Sequence, residues 1–134
     1  MPRKYFDHER LTVYQDSLKF IVWISELLER IPSKLAVHNQ LDRASKSIPL
    51  NIAEGTAKYT AADRCRYFDI ARGSAVECAA CLDVLIRKNI VSETEIEAAK
   101  ELLLVVVSML IGLIRSNSSE RMREDPPSEI FQGE

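Results

Sequence analysis

Apolar residues recur along most of this chain with the spacing of one face of an α-helix. Phe20, Ile24 and Leu27 are separated by steps of four and three residues, so they lie on one side of a helix. A second stripe, which runs from Tyr14 to Leu28 with the same spacing, lies beside the first. The period returns in three later segments, and only four glycines and five prolines interrupt the 134 residues. The pattern therefore predicts an all-α fold.

Capping signals mark where the helices begin. Thr12 and Gln15 have the spacing of a capping box, in which the side chain of each residue bonds to the backbone N–H of the other. Ser92 and Glu95 have the same spacing. Thr60 is the predicted N-cap of the third helix. The predicted helices cover about residues 12–30, 36–57, 61–88 and 93–116.

Short connections, at about residues 31–35, 57–60 and 88–92, separate these helices. Pro32 ends the first helix because the residue before a proline is pushed out of helical geometry. Short links make consecutive helices antiparallel neighbours. We therefore predict an antiparallel up-down-up-down four-helix bundle in residues 1–116, with a kinked second helix, followed by a polar, weakly ordered tail in residues 117–134.

A proline interrupts the second helical segment. Pro49 has no backbone N–H, and its ring crowds the carbonyl group of Ser45. Such a proline costs a helix about 3 kcal/mol, so nearby polar side chains are expected to compensate. One interpretation is a kinked helix with a polar patch at a packing contact, and the other is a ligand or partner site at the kink. The predicted polar motif consists of Arg43, Ser47, Pro49, Asn51, Glu54, Gly55, Ser74 and Glu77.

Individual members of this motif carry specific expectations. Asn51 and Glu54 are expected in a hydrogen-bonded patch that faces the third helix. Gly55 leaves room for a neighbouring helix to approach closely. Glu77 either lies in solvent or belongs to a buried network, for which Arg43 and Asn51 are candidate partners.

Composition limits the classes of function. The net charge of −2 does not favour a dedicated nucleic-acid binder, which would be strongly basic. The first residues lack the apolar core of a signal peptide, and the longest apolar run, residues 102–114, is shorter than the ~20 residues that span a bilayer. We therefore expect a cytoplasmic protein with no membrane partner, whose three cysteines are reduced.

The sequence lacks the usual patterns of catalytic and metal chemistry. Its two histidines, His8 and His38, stand in no Glu-x-x-His motif and beside no nucleophile motif. Cys78 and Cys81 have the spacing of a redox pair, but they lie inside a helix, and no second pair is present to bind zinc. The sequence therefore predicts no enzyme, no cofactor and no metal site.

Basic residues concentrate in the middle of the chain. In residues 34–72 seven basic residues stand against four acidic ones, a net charge of +3, whereas residues 93–134 carry −5. Such a run is usually a solvated helix face, and contact with nucleic acid is the alternative. The candidates for that contact are Arg43, Lys46, Lys58, Arg64 and Arg66.

The apolar residues exceed what one core can cover. The fourth helix carries one stripe from Leu102 to Leu113 and another from Leu104 to Ile114. In the first helix, Trp23 lies close to both stripes. Monomers rarely expose apolar patches of this size, so we expect a homo-oligomer. The interface candidates are Trp23, Leu104, Val107, Ile111 and Ile114.

Four short segments together resemble a known family. Residues 47–55 are Ser-Ile-Pro-Leu-Asn-Ile-Ala-Glu-Gly, residues 66–68 are Arg-Tyr-Phe, and residues 71–77 are Ala-Arg-Gly-Ser-Ala-Val-Glu. Residues 13–15, Val-Tyr-Gln, are similar to an aromatic-Gln opening. These motifs resemble the bacterial four-helix-bundle family of 23S rRNA intervening-sequence proteins, over about residues 7–115.

The resemblance implies a fold and two classes of function. It implies an antiparallel four-helix bundle that assembles into a pentameric ring. The function of the family is mostly unknown, and its name reflects genes found inside ribosomal RNA insertions. One branch resembles the accessory variability protein of diversity-generating retroelements, whose basic pentamers bind a reverse transcriptase and nucleic acid, and this chain differs from it in its acidic balance.

Two hypotheses follow from the sequence. The first is a homo-oligomeric scaffold or adaptor that binds a protein partner, such as a reverse transcriptase. The second is an accessory protein that binds RNA or DNA.

Overall fold

The computed structural model describes residues 4–124. These residues form one short 3-10 helix and four α-helices, whose connections fall at the predicted positions. The bounds are Asp7–Arg10 for the 3-10 helix, Thr12–Arg30 for α1, Ala36–Thr56 for α2, Ala61–Arg87 for α3 and Glu93–Glu124 for α4.

The helices pack side by side in chain order. The most extensive packing joins α2 to α3 and α3 to α4, and α1 completes the bundle by packing on both α2 and α4. Because four or five residues connect each helix to the next, consecutive helices are antiparallel. The predicted antiparallel four-helix bundle is therefore confirmed.

One hydrophobic core extends through the bundle. Phe20 and Ile24 of α1 are fully buried, as the first apolar stripe predicted, and they share the core with Leu41 of α2 and Leu82 of α3. The second stripe of α1 lies at the edge of this core, since Tyr14 is only partly buried. The Leu50 side chain, also on α2, is 64% exposed and lies outside this core.

The side of α4 that faces the core lies between the two apolar stripes that the sequence predicted. Leu103, Val106 and Leu110 are buried there, while Val107 and Met109 on either side are partly buried against the core. Residues 102–114 are almost continuously apolar, so their sequence does not distinguish the buried side of the helix from its neighbours. The apolar surplus of α4 is therefore smaller than the sequence predicted.

The helix starts follow the capping signals in α3 and α4. The Ser92 N–H donates to Glu95 Oε2 at 2.8 Å, and the Glu95 N–H donates to Ser92 Oγ at 3.2 Å. Thr60 Oγ1 accepts from the Asp63 N–H at 3.2 Å. The capping box at Ser92 and the N-cap at Thr60 are thereby confirmed.

The capping box predicted at the start of α1 is wrong. Thr12 is the first residue of the helix, and Leu11 precedes it as the N-cap without a side-chain cap. Gln15 Nε2 donates instead to the Glu9 carbonyl at 3.1 Å. The reason is that the 3-10 helix Asp7–Arg10 leads directly into α1 and brings that carbonyl within reach.

Helix α4 is longer than predicted. It continues to Glu124, eight residues past the expected end near Ser116. Asn117 supports this extension, because its Nδ2 donates to the Leu113 carbonyl at 2.8 Å and its Oδ1 accepts from Arg64 Nε at 2.7 Å. None of the helices that residues 4–124 form is long and apolar enough to cross a bilayer. The remainder of the predicted tail, residues 125–134, lies outside the described residues.

Candidate functional site

Three polar side chains join α2 to α3, and we call them the polar seam: Ser47, Asn51 and Ser74. Asn51 Nδ2 donates to the Ser47 carbonyl at 2.8 Å and to Ser47 Oγ at 2.9 Å. Ser47 Oγ in turn lies 2.7 Å from Ser74 Oγ on α3, and either hydroxyl can donate. The seam therefore links the two helices by hydrogen bonds within a contact that is otherwise apolar.

Pro49 lies inside α2, which runs unbroken through it. The neighbouring polar side chains donate to carbonyls of the preceding turn: Ser45 Oγ bonds to the Asp42 carbonyl at 2.8 Å, and Asn51 bonds to that of Ser47. The expected polar side chains therefore bond to backbone carbonyls around the proline. The kink at Pro49 stays a prediction.

The three charged members of the predicted polar motif lie outside the seam. Glu54 is exposed, and its Oε2 lies 3.7 Å from Lys58 Nζ. The expectation that it faces α3 is wrong because α2 turns Asn51 and Gly55 toward α3 and Glu54 toward solvent. Glu77 and its candidate partner Arg43 are exposed as well, so the solvated interpretation of Glu77 holds.

Gly55 lies where α2 comes very close to α3. A Cβ atom there would lie 2.8 and 2.9 Å from two ring carbons of Phe68 and 3.1 Å from Cβ of Tyr67. The Phe68 ring is buried and has little room to move. The close approach that the sequence suggested at Gly55 is therefore present.

Most of the predicted nucleic-acid contacts are engaged in local ion pairs. Exposed pairs of this kind contribute little to stability, but the acidic partners offset the positive charge that would attract phosphate. Arg43 is exposed on the outer side of α2. The pairs are Lys46–Asp42 at 3.2 Å, Lys58–Glu54 at 3.7 Å and Arg66–Asp63 at 4.0 Å.

Arg64 is turned onto the connection between α2 and α3. Its Nη1 donates to the carbonyls of Lys58 at 3.2 Å and Tyr59 at 2.7 Å. Its Nε donates to Asn117 Oδ1 on α4. Arg64 therefore holds the connection against α4, whereas the Tyr59 side chain on that connection is 98% exposed.

Two cations converge on one aromatic ring beside this connection. Lys58 Nζ lies 5.0 Å from the ring centroid of Tyr67, and Arg66 Cζ lies 4.8 Å from it. Neither Tyr59 nor Tyr67 was among the predicted site residues. The sequence signal is that each tyrosine directly follows a basic residue, but only the fold shows that they lie at one end of the bundle.

An apolar groove lies at the surface between α3 and α4. Leu104 is 67% exposed at this groove, and Val107 beside it is partly buried. The other predicted interface residues, Trp23, Ile111 and Ile114, are also partly buried. The groove is lined by Ala75, Val76, Ala79, Lys100, Leu103, Leu104 and Val107.

Two of the three cysteines of α3, Cys78 and Cys81, are buried thiols. Burial, with the neighbouring Cys81 and Glu77, raises the pKa of Cys78 to about 12. Burial and then Glu77 also raise the pKa of Cys81. Because the thiolate is the nucleophilic form, the raised pKa values disfavour reaction of both thiols near neutral pH. Cys65 is half-buried, and its Sγ donates to the Ile114 carbonyl at 3.6 Å.

Comparisons with known proteins agree with this fold. Residues 9–112 match the family described as 23S rRNA-intervening sequence protein. The chain is also similar to the crystal structure, at 1.70 Å resolution, of a protein with unknown function from the S23 ribosomal protein family of Bacteroides thetaiotaomicron. That match has 26% identity and a TM-score of 0.72, and it covers 77% of this chain and 98% of the other. No curated protein matches the chain.

Proposed function

The chain belongs to the 23S rRNA-intervening sequence protein family, and we propose that it is a non-enzymatic scaffold that assembles with copies of itself and binds a protein partner. The supporting observation is the apolar groove between α3 and α4, where Leu104 is largely exposed. Covering apolar surface yields about 25 cal/mol for each Å² removed from water. A helix from a second copy is the occupant that we propose for this groove.

The surface beside the groove suits packing of another helix. Besides Val76 in the groove, Val84 on α3 and Val105 on α4 are exposed, so both helices carry further apolar surface. Gly73 and Gly112 add flat positions, because a Cβ atom at either would meet no other atom within 4 Å. A second copy that packs there would bury apolar area on both helices.

The subunit number and the partner complete the proposal. The resemblance to the family supports a ring of five subunits. The groove by itself does not indicate how many subunits assemble. The outer side of α1, where Leu18 and Val22 are exposed, is the surface that we assign to a protein partner such as a reverse transcriptase. We place the assembly in the cytoplasm, as the sequence predicts.

One pair of matched substitutions tests the proposed interface. Leu104→Glu places a charge in the groove and is expected to lower the average mass measured by sedimentation equilibrium, because burying an unpaired charge is costly. Leu50→Glu is the control, since Leu50 is similarly exposed, at 64%, but lies on α2. Equal masses for both variants and the unmodified protein, with unchanged helical circular dichroism, would exclude the groove as the interface.

A second candidate function, binding of nucleic acid, has one observation in its favour. Lys58 and Arg66 are held together over Tyr67 at one end of the bundle, so two of the predicted contacts form a local cationic pair. Contacts to phosphates weaken steeply as salt rises. Replacing both residues by Ala is expected to reduce affinity for a labelled RNA or DNA and to flatten its salt dependence in a mobility-shift titration. The matched control replaces the exposed Lys19 of α1 and Arg87 of α3 by Ala, which removes the same charge away from this pair.

A further inference from the structure

We propose that Tyr59 is a stacking platform for one base of a single-stranded nucleic acid, with Lys58 and Arg66 as contacts to the flanking phosphates. The inference rests on the second function proposed above and names the residue that would carry it. Tyr59 is 98% exposed, more than any other large apolar or aromatic side chain among residues 4–118. An aromatic ring in that position presents its face to solvent.

The backbone that carries this ring is fixed in place. Arg64 Nη1 bonds to the carbonyls of both Lys58 and Tyr59, and the same guanidinium is tied to Asn117 on α4. On the other side of Tyr59, the Thr60 side chain caps α3. A bound base therefore has to order only the two side-chain torsions of Tyr59, which keeps the entropy cost of binding low.

Two cations lie close to Tyr59 in the chain, one on the same connection and one near the start of α3. Lys58 precedes Tyr59 in the chain, and Lys58 and Arg66 share the Tyr67 ring at 5.0 and 4.8 Å. Their acidic partners, Glu54 and Asp63, are paired at the long distances of 3.7 and 4.0 Å. Such exposed pairs are weak, so a phosphate group can compete for either cation. An aromatic ring beside such cations is the combination that binds single strands.

The surroundings favour a single strand over a duplex or a protein. Bases in a duplex already stack on each other, whereas unpaired bases offer their faces to an aromatic side chain. A protein interface typically seats such a ring in a well-packed pocket, surrounded by contacts that exclude water. The exposed residues that follow Tyr59 in the chain include Thr60 and Asp63, which are polar.

Fluorescence anisotropy with a labelled single-stranded RNA and a labelled single-stranded DNA, each of mixed sequence, tests the platform. The unmodified protein is expected to bind, and Tyr59→Ala should weaken binding roughly 5- to 150-fold, the range found when a stacking aromatic is truncated. Tyr59→Phe keeps the ring and should bind like the unmodified protein. Leu50→Ala, an exposed apolar truncation on α2, is the control and should change nothing.

The possible results separate the inference from the function on which it rests. If the unmodified protein binds and Tyr59→Ala binds equally well, the platform is wrong while nucleic-acid binding stands. If neither single strand binds, the platform is wrong, and if a labelled duplex also fails to bind, the nucleic-acid function is wrong as well. Equal competition by a duplex of the same sequence would also overturn the platform. Because Tyr59 is so exposed, thermal unfolding of each variant should match that of the unmodified protein.

Discussion

Ser47 on α2 and Ser74 on α3 are joined through their hydroxyl oxygens, 2.7 Å apart, and Asn51 donates to the same Ser47 oxygen. Removing the Asn51 side chain leaves its partners in this partly buried seam without their donor. We expect Asn51→Ala to lower the free energy of unfolding by about 1–3 kcal/mol. Urea denaturation measures this change, with Asn39→Ala, an exposed position on the same helix, as the control. A loss no larger than that of the control would show that the seam contributes nothing.

Two glycines in helices are expected to respond in opposite directions to the same substitution. Gly55→Ala forces a methyl group against the buried Phe68 ring and should lower the free energy of unfolding by about 1–3 kcal/mol. Gly73→Ala meets no neighbouring atom within 4 Å and should raise it by up to about 1 kcal/mol through helix propensity. Thermal unfolding of the two variants measures both effects. Stabilisation by Gly55→Ala would mean that α2 and α3 are not closely packed there.

The capping box of α4 predicts a dependence on pH. The hydrogen bond from the Ser92 backbone N–H, and then that from the Arg30 side chain, lower the pKa of Glu95 from its ordinary value of 4.5. A carboxyl group whose pKa is lower in the folded state stabilises the fold above its unfolded pKa, and this contribution is lost as the pH falls through the folded value. Glu95→Gln should therefore melt below the unmodified protein near neutral pH, and the difference should shrink below pH 4.5.

The control for this pH dependence is Glu97→Gln, an exposed position on the same helix. Melting temperatures of the three proteins across the acidic range provide the comparison. A difference between Glu95→Gln and the unmodified protein that stays constant from neutral pH into the acid range would contradict the lowered pKa.

The buried thiols of α3 predict a pattern of chemical labelling. With its pKa raised to about 12, Cys78 should react with a thiol reagent only after the protein is unfolded. Mass spectrometry of peptides from native and guanidinium-treated protein locates the label. Rapid labelling of Cys78 in the native protein would show that α3 is not packed as described.

The bounds of the helices were largely predictable because local chemistry sets them. Thr60, Ser92 and Pro32 act within one turn of their own positions, so their effect can be read without the fold. The end of α4 was not predictable in this way, because Asn117 is held by Arg64 from another helix. From local polarity alone, Asn117 was predicted to begin the tail.

The candidate site was less predictable because it depends on how the helices are rotated. Whether Glu54 or Asn51 faces α3 is decided by the close contact at Gly55, which involves a residue on another helix. The exposure of Tyr59 likewise follows from the bonds of Arg64 to the connection. In α4, the apolar residues are nearly continuous, so the sequence did not show that Leu103 and Leu110 are the buried ones.

The native mass of the unmodified protein tests self-assembly, the central claim, most directly. Multi-angle light scattering at micromolar concentration is expected to give a multiple of the 15.2 kDa of one chain, and five times that mass for the proposed ring. A mass of two, three or four chains would contradict only the ring of five. A mass of 15.2 kDa would contradict self-assembly and, with it, the scaffold.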